Sequence, residues 1–325
     1  MSDKEKTNDP HDTRLKELFR NKEAFISLLK DCVKENWIND LDEKNLKLSP
    51  TSYILQDFNK KEADVVYEGT LRNGKEKVIF YVLLELQSSV DYRMPYRLLL
   101  YIVEILRHYY NQADVDEREN KNFKFPAVFP MVFYIGSQKW TVPLNLKEMF
   151  FGYERFGEYL LNFNYALVDA KGYDDESVKD FRSRLLKVMM MLEKSKGYVE
   201  ILEKITEYAD EIVKLNAEEY RILSVATDIF SEIYGQRKYK LDEIIRAETA
   251  EGVKSMLVDV LANAKNYEEN LRKEGEKRAE KKLEKERVET AKTLLEMGDS
   301  VEKIATVTKF SIEKVKKIKA NLKKK

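Results

Sequence analysis

The chain has little of several things that carry chemistry: one cysteine, two histidines, eleven glycines, and no net charge, with 58 basic residues against 58 acidic ones in 325. Cys32 has no partner for an internal disulfide, and in its apolar helical pattern it reads as a buried thiol of a reducing compartment. His11 and His108 alone exclude a histidine-rich zinc site and disfavour a Ser-His-Asp triad. The glycines are scattered and form no phosphate-cradling loop, so no nucleotide cofactor is expected. No apolar run approaches the ~18 residues needed to span a bilayer. Met1 to Asp9 is polar and acidic, unlike a signal peptide. These absences predict a cytoplasmic protein without a membrane partner. Zero net charge leaves the question of a nucleic-acid partner to local charge distribution.

What is present begins with a hairpin. Strands over about Ala63 to Leu71 and Lys77 to Gln87 are joined at Asn73-Gly74, a strong two-residue turn signal. That turn sets Arg72 against Lys75 and Asp64 against Leu83. Residues opposite one another share a face, and the period along a strand is two. Asp64, Leu83, Glu85 and Gln87 then share one face, with Asp64 diagonal to Glu85. The other face carries Val65, Tyr67 and Leu71 against Val78, Phe80, Val82, Leu84 and Leu86. The second strand is apolar on both faces through its middle, which predicts a central place in a covered sheet. A helix from about Pro95 to Tyr110 and strands at Ala127 to Ile135 and Ala166 to Asp169 extend this to a mixed α/β sheet. On that helix Leu98, Leu99, Ile102, Ile105, Leu106 and Tyr109 are expected inside. Arg97, Tyr101, Glu104 and His108 fall on another face.

The rest of the chain reads as helical. Asp12 is a plausible N-cap for a helix with Leu15, Leu18 and Phe19 on one face, restarted at Asn21. Helices follow from Asp174 to about Arg246, and Ala247 to Arg287 is one long charged helix, a solvated arm. Beyond it, Ala291, Leu294 and Leu295 end at Gly298. Asp299 with Glu302 makes a capping box, and Ser311 caps a last helix carrying Lys314, Lys316, Lys317 and Lys319. Three short helices with tight turns resemble a helix-turn-helix unit, and a basic terminus suits phosphate contacts. A three-helix oligomerisation module fits the same pattern equally well.

Diagonal Cβ atoms lie roughly 7 Å apart, from which two carboxylates can close on one cation. A carboxylate pair at a strand end suits Mg²⁺, which takes one or two carboxylates plus water and phosphate. Solvated strand ends are the ordinary alternative. Two details favour the metal. Glu85 interrupts an apolar run, where an unpaired carboxylate is costly, and Gln87 follows on the same face with an amide to position water. Arg97 and Tyr101, in the first turns of the next helix, are candidates for contact with phosphate.

Asp64 on one strand and Glu85-Leu86-Gln87 on the next resemble the divided acidic motif of the PD-(D/E)XK nucleases, with Gln in place of the usual Lys. His11-Asp12 leading to Leu18-Phe19, Ala63-Asp-Val-Val-Tyr, Leu84-Glu-Leu-Gln-Ser and Met94-Pro-Tyr-Arg-Leu-Leu-Leu-Tyr101 together resemble the Rpn family of recombination-promoting nucleases, also described as YhgA-like or PD-(D/E)XK transposases. The likeness covers roughly the first half of the chain, and Leu294 to Ile318 is similar to tails in that family. It implies a restriction-endonuclease-like mixed sheet flanked by helices, followed by an all-α region. It also implies a Mg²⁺-dependent DNA endonuclease, with Mn²⁺ able to substitute, associated with recombination or mobile elements. Asp64 and Glu85 would hold the metal, and Gln87 would take the place of the motif lysine without its charge. Lys60 and Lys61, beside the first strand, are candidates for that charge. A nuclease fold without activity, working as a DNA-binding or protein-interaction adaptor, is the alternative. The implied organisation is a nuclease-like domain over 1–173, a helical extension over 174–246, a charged helix or linker over 247–287 and the helix-turn-helix-like tail over 288–325. The C-terminal helices are also candidates for a homodimer contact.

Overall fold

The computed structural model describes residues 10–50, 64–72, 74, 76–85, 90–236 and 240–322, with residues 10–13, 64 and 85 described by their backbone alone. Five strands, β1 (Lys47–Ser49), β2 (Asp64–Thr70), β3 (Lys77–Glu85), β4 (Ala127–Tyr134) and β5 (Ala166–Asp169), form one sheet in chain order. β1, β2 and β3 pair antiparallel, whereas β3–β4 and β4–β5 are parallel. The hairpin register is the one its turn predicts: Asp64 faces Leu83 and Thr70 faces Lys77. Gly74 supplies the turn with a left-handed φ of +69°, which glycine adopts without a Cβ clash. β3 is the central strand, as its two apolar faces require.

Each face of the sheet is covered by helices. On one face, Val66, Tyr81, Leu83, Val132 and Tyr134 pack against Met94, Leu98, Tyr101 and Ile105 of α3 (Met94–Gln112). α1 (Pro10–Arg20) and α2 (Lys22–Ser27) bring aromatic rings to residues of the other face. Phe25 stacks on Tyr67 at 4.0 Å and Phe19 meets Phe133 edge-on at 4.7 Å. α1 starts at Pro10, so Asp12 lies inside the helix and is not its N-cap; proline favours a first helical position because its fixed φ is already helical. Asn21 does cap α2, accepting from the Ala24 N–H at 3.0 Å. After α2 the chain makes a single π-helical turn, Leu28–Cys32.

Short helices α4 (Val115–Arg118) and α5 (Tyr153–Phe156) lie in the connections around β4. A helical layer follows: α6 (Asp175–Lys179), α7 (Arg184–Glu193), α8 (Tyr198–Glu207), α9 (Ala209–Ile212), α10 (Ala217–Ile233) and α11 (Leu241–Ile245). This layer belongs to the same compact unit as the sheet, residues 1–258, with no break at 173/174. Long-range polar ties join this layer to the elements around the sheet. Ser183 N–H donates to Ser27 Oγ at 3.1 Å, and Arg14 of α1 reaches Glu193 at the end of α7.

The second unit, residues 259–325, is built on α12 (Ala250–Glu296), one unbroken helix of 47 residues, so the expected boundary at 287/288 falls in mid-helix. Its residues 265–286 are all exposed, a solvated stretch without an apolar seam. Ala291 then packs with Ile304 of α13 (Val301–Thr308) and Val315 of α14 (Ile312–Leu322). Ser300, not Asp299, caps α13. Ser300 has the extended backbone of a cap and accepts from the Lys303 N–H at 3.3 Å, while Asp299 pairs with the Lys303 ammonium at 2.6 Å. Ser311 caps α14 through the Lys314 N–H at 3.2 Å. Among the described residues, no helix is long and apolar enough to cross a membrane.

Candidate active site

The candidate site lies where β2 begins and β3 ends. Asp64 is the first residue of β2, opposite Leu83, and Glu85 is the last residue of β3, in register with Tyr134 of β4. Because strand residues two apart share a face, Asp64, Leu83 and Glu85 belong to the face that α3 covers. Gln87, Lys60 and Lys61 lie outside the described residues. Among the described residues, no group of three or more His, Cys, Asp or Glu could hold a metal ion.

The packing of α3 locates the rest of the site. The Tyr101 ring stacks on Tyr81 with centroids 5.0 Å apart. One helical turn advances about 5.4 Å and two strand residues about 6.8 Å. Stepping back one turn from Tyr101 reaches Arg97, and stepping on from Tyr81 reaches Leu83 and then Glu85. The first turns of α3 therefore lie over the acidic end of the hairpin. Arg97 is half-buried there and donates from Nη1 to Asp91 Oδ2 at 2.9 Å. Asp91 also accepts from the Arg93 backbone N–H at 2.9 Å and from its Nε at 3.0 Å. Burial alone would raise the Asp91 pKa, but the hydrogen bonds from Arg93 and then Arg97 prevail and hold it below the usual value. Asp91 escaped the sequence reading. Its signal was an acid six residues before Arg97, at the mouth of a helix.

Tyr101 corrects the expected division of α3. It is 6% exposed and belongs to the inner seam of Met94, Leu98, Tyr101 and Ile105, while Leu99, Ile102, Leu106 and Tyr109 are only half-buried. Spacings of 4, 3 and 4 trace one helical stripe, and an aromatic ring to stack on decided which of two adjacent stripes faces the sheet. Glu104 is tied to Arg107. Glu17, on α1, pairs with Arg20 and Arg221 and is occupied as a surface charge.

A second polar cluster forms where β4 ends. Arg14 is 1% exposed and donates from Nε and Nη2 to the two oxygens of Glu193, at 2.5 and 2.7 Å. Its guanidinium also lies 4.7 Å from the Phe230 ring centre, and its Nη1 is buried with no hydrogen-bond partner among the described residues. Arg14 and Glu193 line a cavity of about 180 Å³ with Ile135, Gly136, Ser195 and Phe230. Gly136 is obligatory there, since a Cβ would fall 2.1 Å from the Tyr134 hydroxyl, which donates to the Gln138 carbonyl at 2.8 Å.

A mixed sheet whose hairpin brings two acidic residues to one end of its inner strands, beneath the opening turns of a helix, defines an α/β protein with an acid-bearing sheet end. Residues 9–220 match the family described as "Putative transposase, YhgA-like", and the chain belongs to that family. It is similar to the recombination-promoting nuclease RpnD of Escherichia coli O157:H7, 26% identical over 187 residues that span 56% of this chain and 67% of RpnD. It is also similar to the inactive recombination-promoting nuclease-like protein RpnE of Escherichia coli strain K12, 24% identical over 203 residues, 62% of this chain and 64% of RpnE. The matched segments thus cover about two-thirds of the length of these relatives. No solved structure matches.

Proposed function

We propose that the chain is a Mg²⁺-dependent DNA endonuclease of the PD-(D/E)XK type, acting in the reducing cytoplasm on recombining or mobile DNA. The carrying observation is the hairpin register, which brings Asp64 and Glu85 to one face at one end of the sheet. Two carboxylate residues completed by water and phosphate are a donor set that suits Mg²⁺, or Mn²⁺ in its place. Bound there, the ion would supply charge stabilisation for the scissile phosphate and a more acidic water. Asp64 and Glu85 would hold it. Gln87 would orient the attacking water through its amide, without the charge of the motif lysine. Arg97, steadied by Asp91, would meet a phosphate oxygen, and Tyr101 would fix α3 against Tyr81 instead of touching phosphate itself. The relative named as a recombination-promoting nuclease supports this reading.

The neutral Gln87 and the relative named as inactive favour a second reading, a nuclease fold that binds without cutting. Plasmid cleavage in Mg²⁺ by the wild type, Asp64→Ala and Glu85→Ala separates the two. The nuclease reading expects cutting by the wild type alone and Mn²⁺ binding that both substitutions weaken. Equal cutting in all three removes these residues from the mechanism. Absence of both cutting and metal binding gives the adaptor reading.

A further inference from the structure

The tail after α12 is outside the segment that matches the family, and its charge is distinctive. Residues 300–325 carry nine lysines and two glutamates, with no Asp or Arg, a net charge of +7 in a chain whose total is zero. The other 299 residues therefore carry −7. An acidic body repels a polyanion, and a basic segment this concentrated is an electrostatic footprint for one.

We propose that α13 and α14 form a helix-turn-helix surface for duplex DNA, with α14 entering the major groove. Three residues, Lys309, Phe310 and Ser311, connect the helices, the length such units use. Lys309 takes a left-handed φ of 54°, the only non-glycine with positive φ among the described residues, which lets the chain reverse within that length. Phe310 packs on the small core and anchors the turn. With Val315 and Ile318 turned inward, the opposite face of α14 presents Glu313, Lys316, Lys317 and Ala320, all exposed, at spacings of 3, 4 and 7 from the first. Lys314 lies off this face, tied to Glu284 and to the Phe310 ring. A helix of 11 residues is about 16 Å long and fits a groove about 12 Å wide. The outward stripe has no large apolar side chain, so it suits DNA better than a second protein surface. Glu313, in the first turn of α14, is placed where recognition helices meet base edges, and a carboxylate there accepts from the cytosine amino group. Lys316 and Lys317 neutralise phosphates.

The test uses the full chain carrying Glu85→Ala, so that DNA is bound without being cut, with a fluorescent 25-base-pair duplex across a salt series. Lys316→Gln and Lys317→Gln are each expected to reduce the slope of log affinity against log salt by about 0.9. Lys317→Arg, which keeps the charge, should restore it, and Lys121→Gln on the acidic unit should leave it unchanged. Both lysines are exposed, and an unchanged helical circular dichroism signal establishes that the variants fold. An unchanged slope in both Gln variants overturns the proposal. So does a fall in self-association on sedimentation with DNA affinity intact, which marks an oligomerisation face. For Glu313, sequences selected from a random duplex pool should show a cytosine preference that Glu313→Gln loses. The same selected bases in both, or none in either, removes Glu313 from base contact. Failure of the nuclease reading is separable, because cleavage surviving Asp64→Ala leaves the salt slopes untouched.

Discussion

Removing either partner of the buried Arg14–Glu193 pair should destabilise the first unit far more than removing both. Both side chains are almost wholly buried and meet through two parallel hydrogen bonds of 2.5 and 2.7 Å. Arg14→Leu strands a carboxylate, and Glu193→Leu strands a guanidinium of which one nitrogen already has no partner among the described residues. Losing one partner of such a pair costs about 3–5 kcal/mol, whereas replacing both with apolar groups is often neutral. The adjoining cavity of about 180 Å³ gives water a route to the stranded charge, so each single change should fall near the lower figure. Two singles of about 3 kcal/mol and a double within about 1 kcal/mol of wild type imply a coupling of about 5 kcal/mol. Urea unfolding followed by tryptophan fluorescence reads this cleanly, because Trp37 and Trp140 both lie in the first unit. With a slope of about 3 kcal/mol per molar, each single should lower the midpoint by about 1 M. Singles costing under about 1 kcal/mol, or a double equal to their sum, would refute the argument.

Three further outcomes follow from individual contacts. Burial pushes the Cys32 thiol up to about 12 from an ordinary 9.0, so it should resist a disulfide reagent at pH 8 until urea unfolds the chain; rapid native labelling would contradict this. The raised value also means that stability falls as pH rises above about 9, when only the unfolded thiol ionises. Asp91 titrates below its ordinary 3.8, so its contribution is complete above that pH and is lost as pH falls through the lowered value; a carboxyl NMR midpoint at or above 3.8 would sink the Arg93–Asp91–Arg97 account. Ser300→Ala should cost α13 about 1 kcal/mol, seen as roughly fivefold faster hydrogen exchange of its first amides, while Asp299→Ala should cost less.

Several elements could be read from the chain because their causes are local. The Asn73-Gly74 signal predicts a two-residue turn, and the register such a turn implies, Asp64 facing Leu83, is the one observed. Apolar residues on both faces of β3 implied a strand with neighbours on each side, and it is the central one. Asn21 and Ser311 act as caps within three residues of themselves. Local rules failed where two neighbouring candidates were nearly equal. Asp299 and Ser300 can each cap a helix, and the backbone angles chose Ser300. Arg97 and Tyr101 lie one turn apart on α3, yet Asp91 drew one to the rim and Tyr81 drew the other inward.

By itself, then, the sequence determined the hairpin, its register and the sharing of one face by Asp64 and Glu85, since turn geometry and the two-residue period act over a few residues. It also held the charge division between an acidic body and a basic tail, which is additive and needs no fold. Only the tertiary structure decided that α3 covers the acidic end of β3 and that residues 174–246 pack into the same unit as the sheet. It alone paired Arg14 with Glu193, 179 residues away. Such pairings depend on which surfaces meet once helices pack, and burial makes an unpaired charge costly enough that distant partners must find one another.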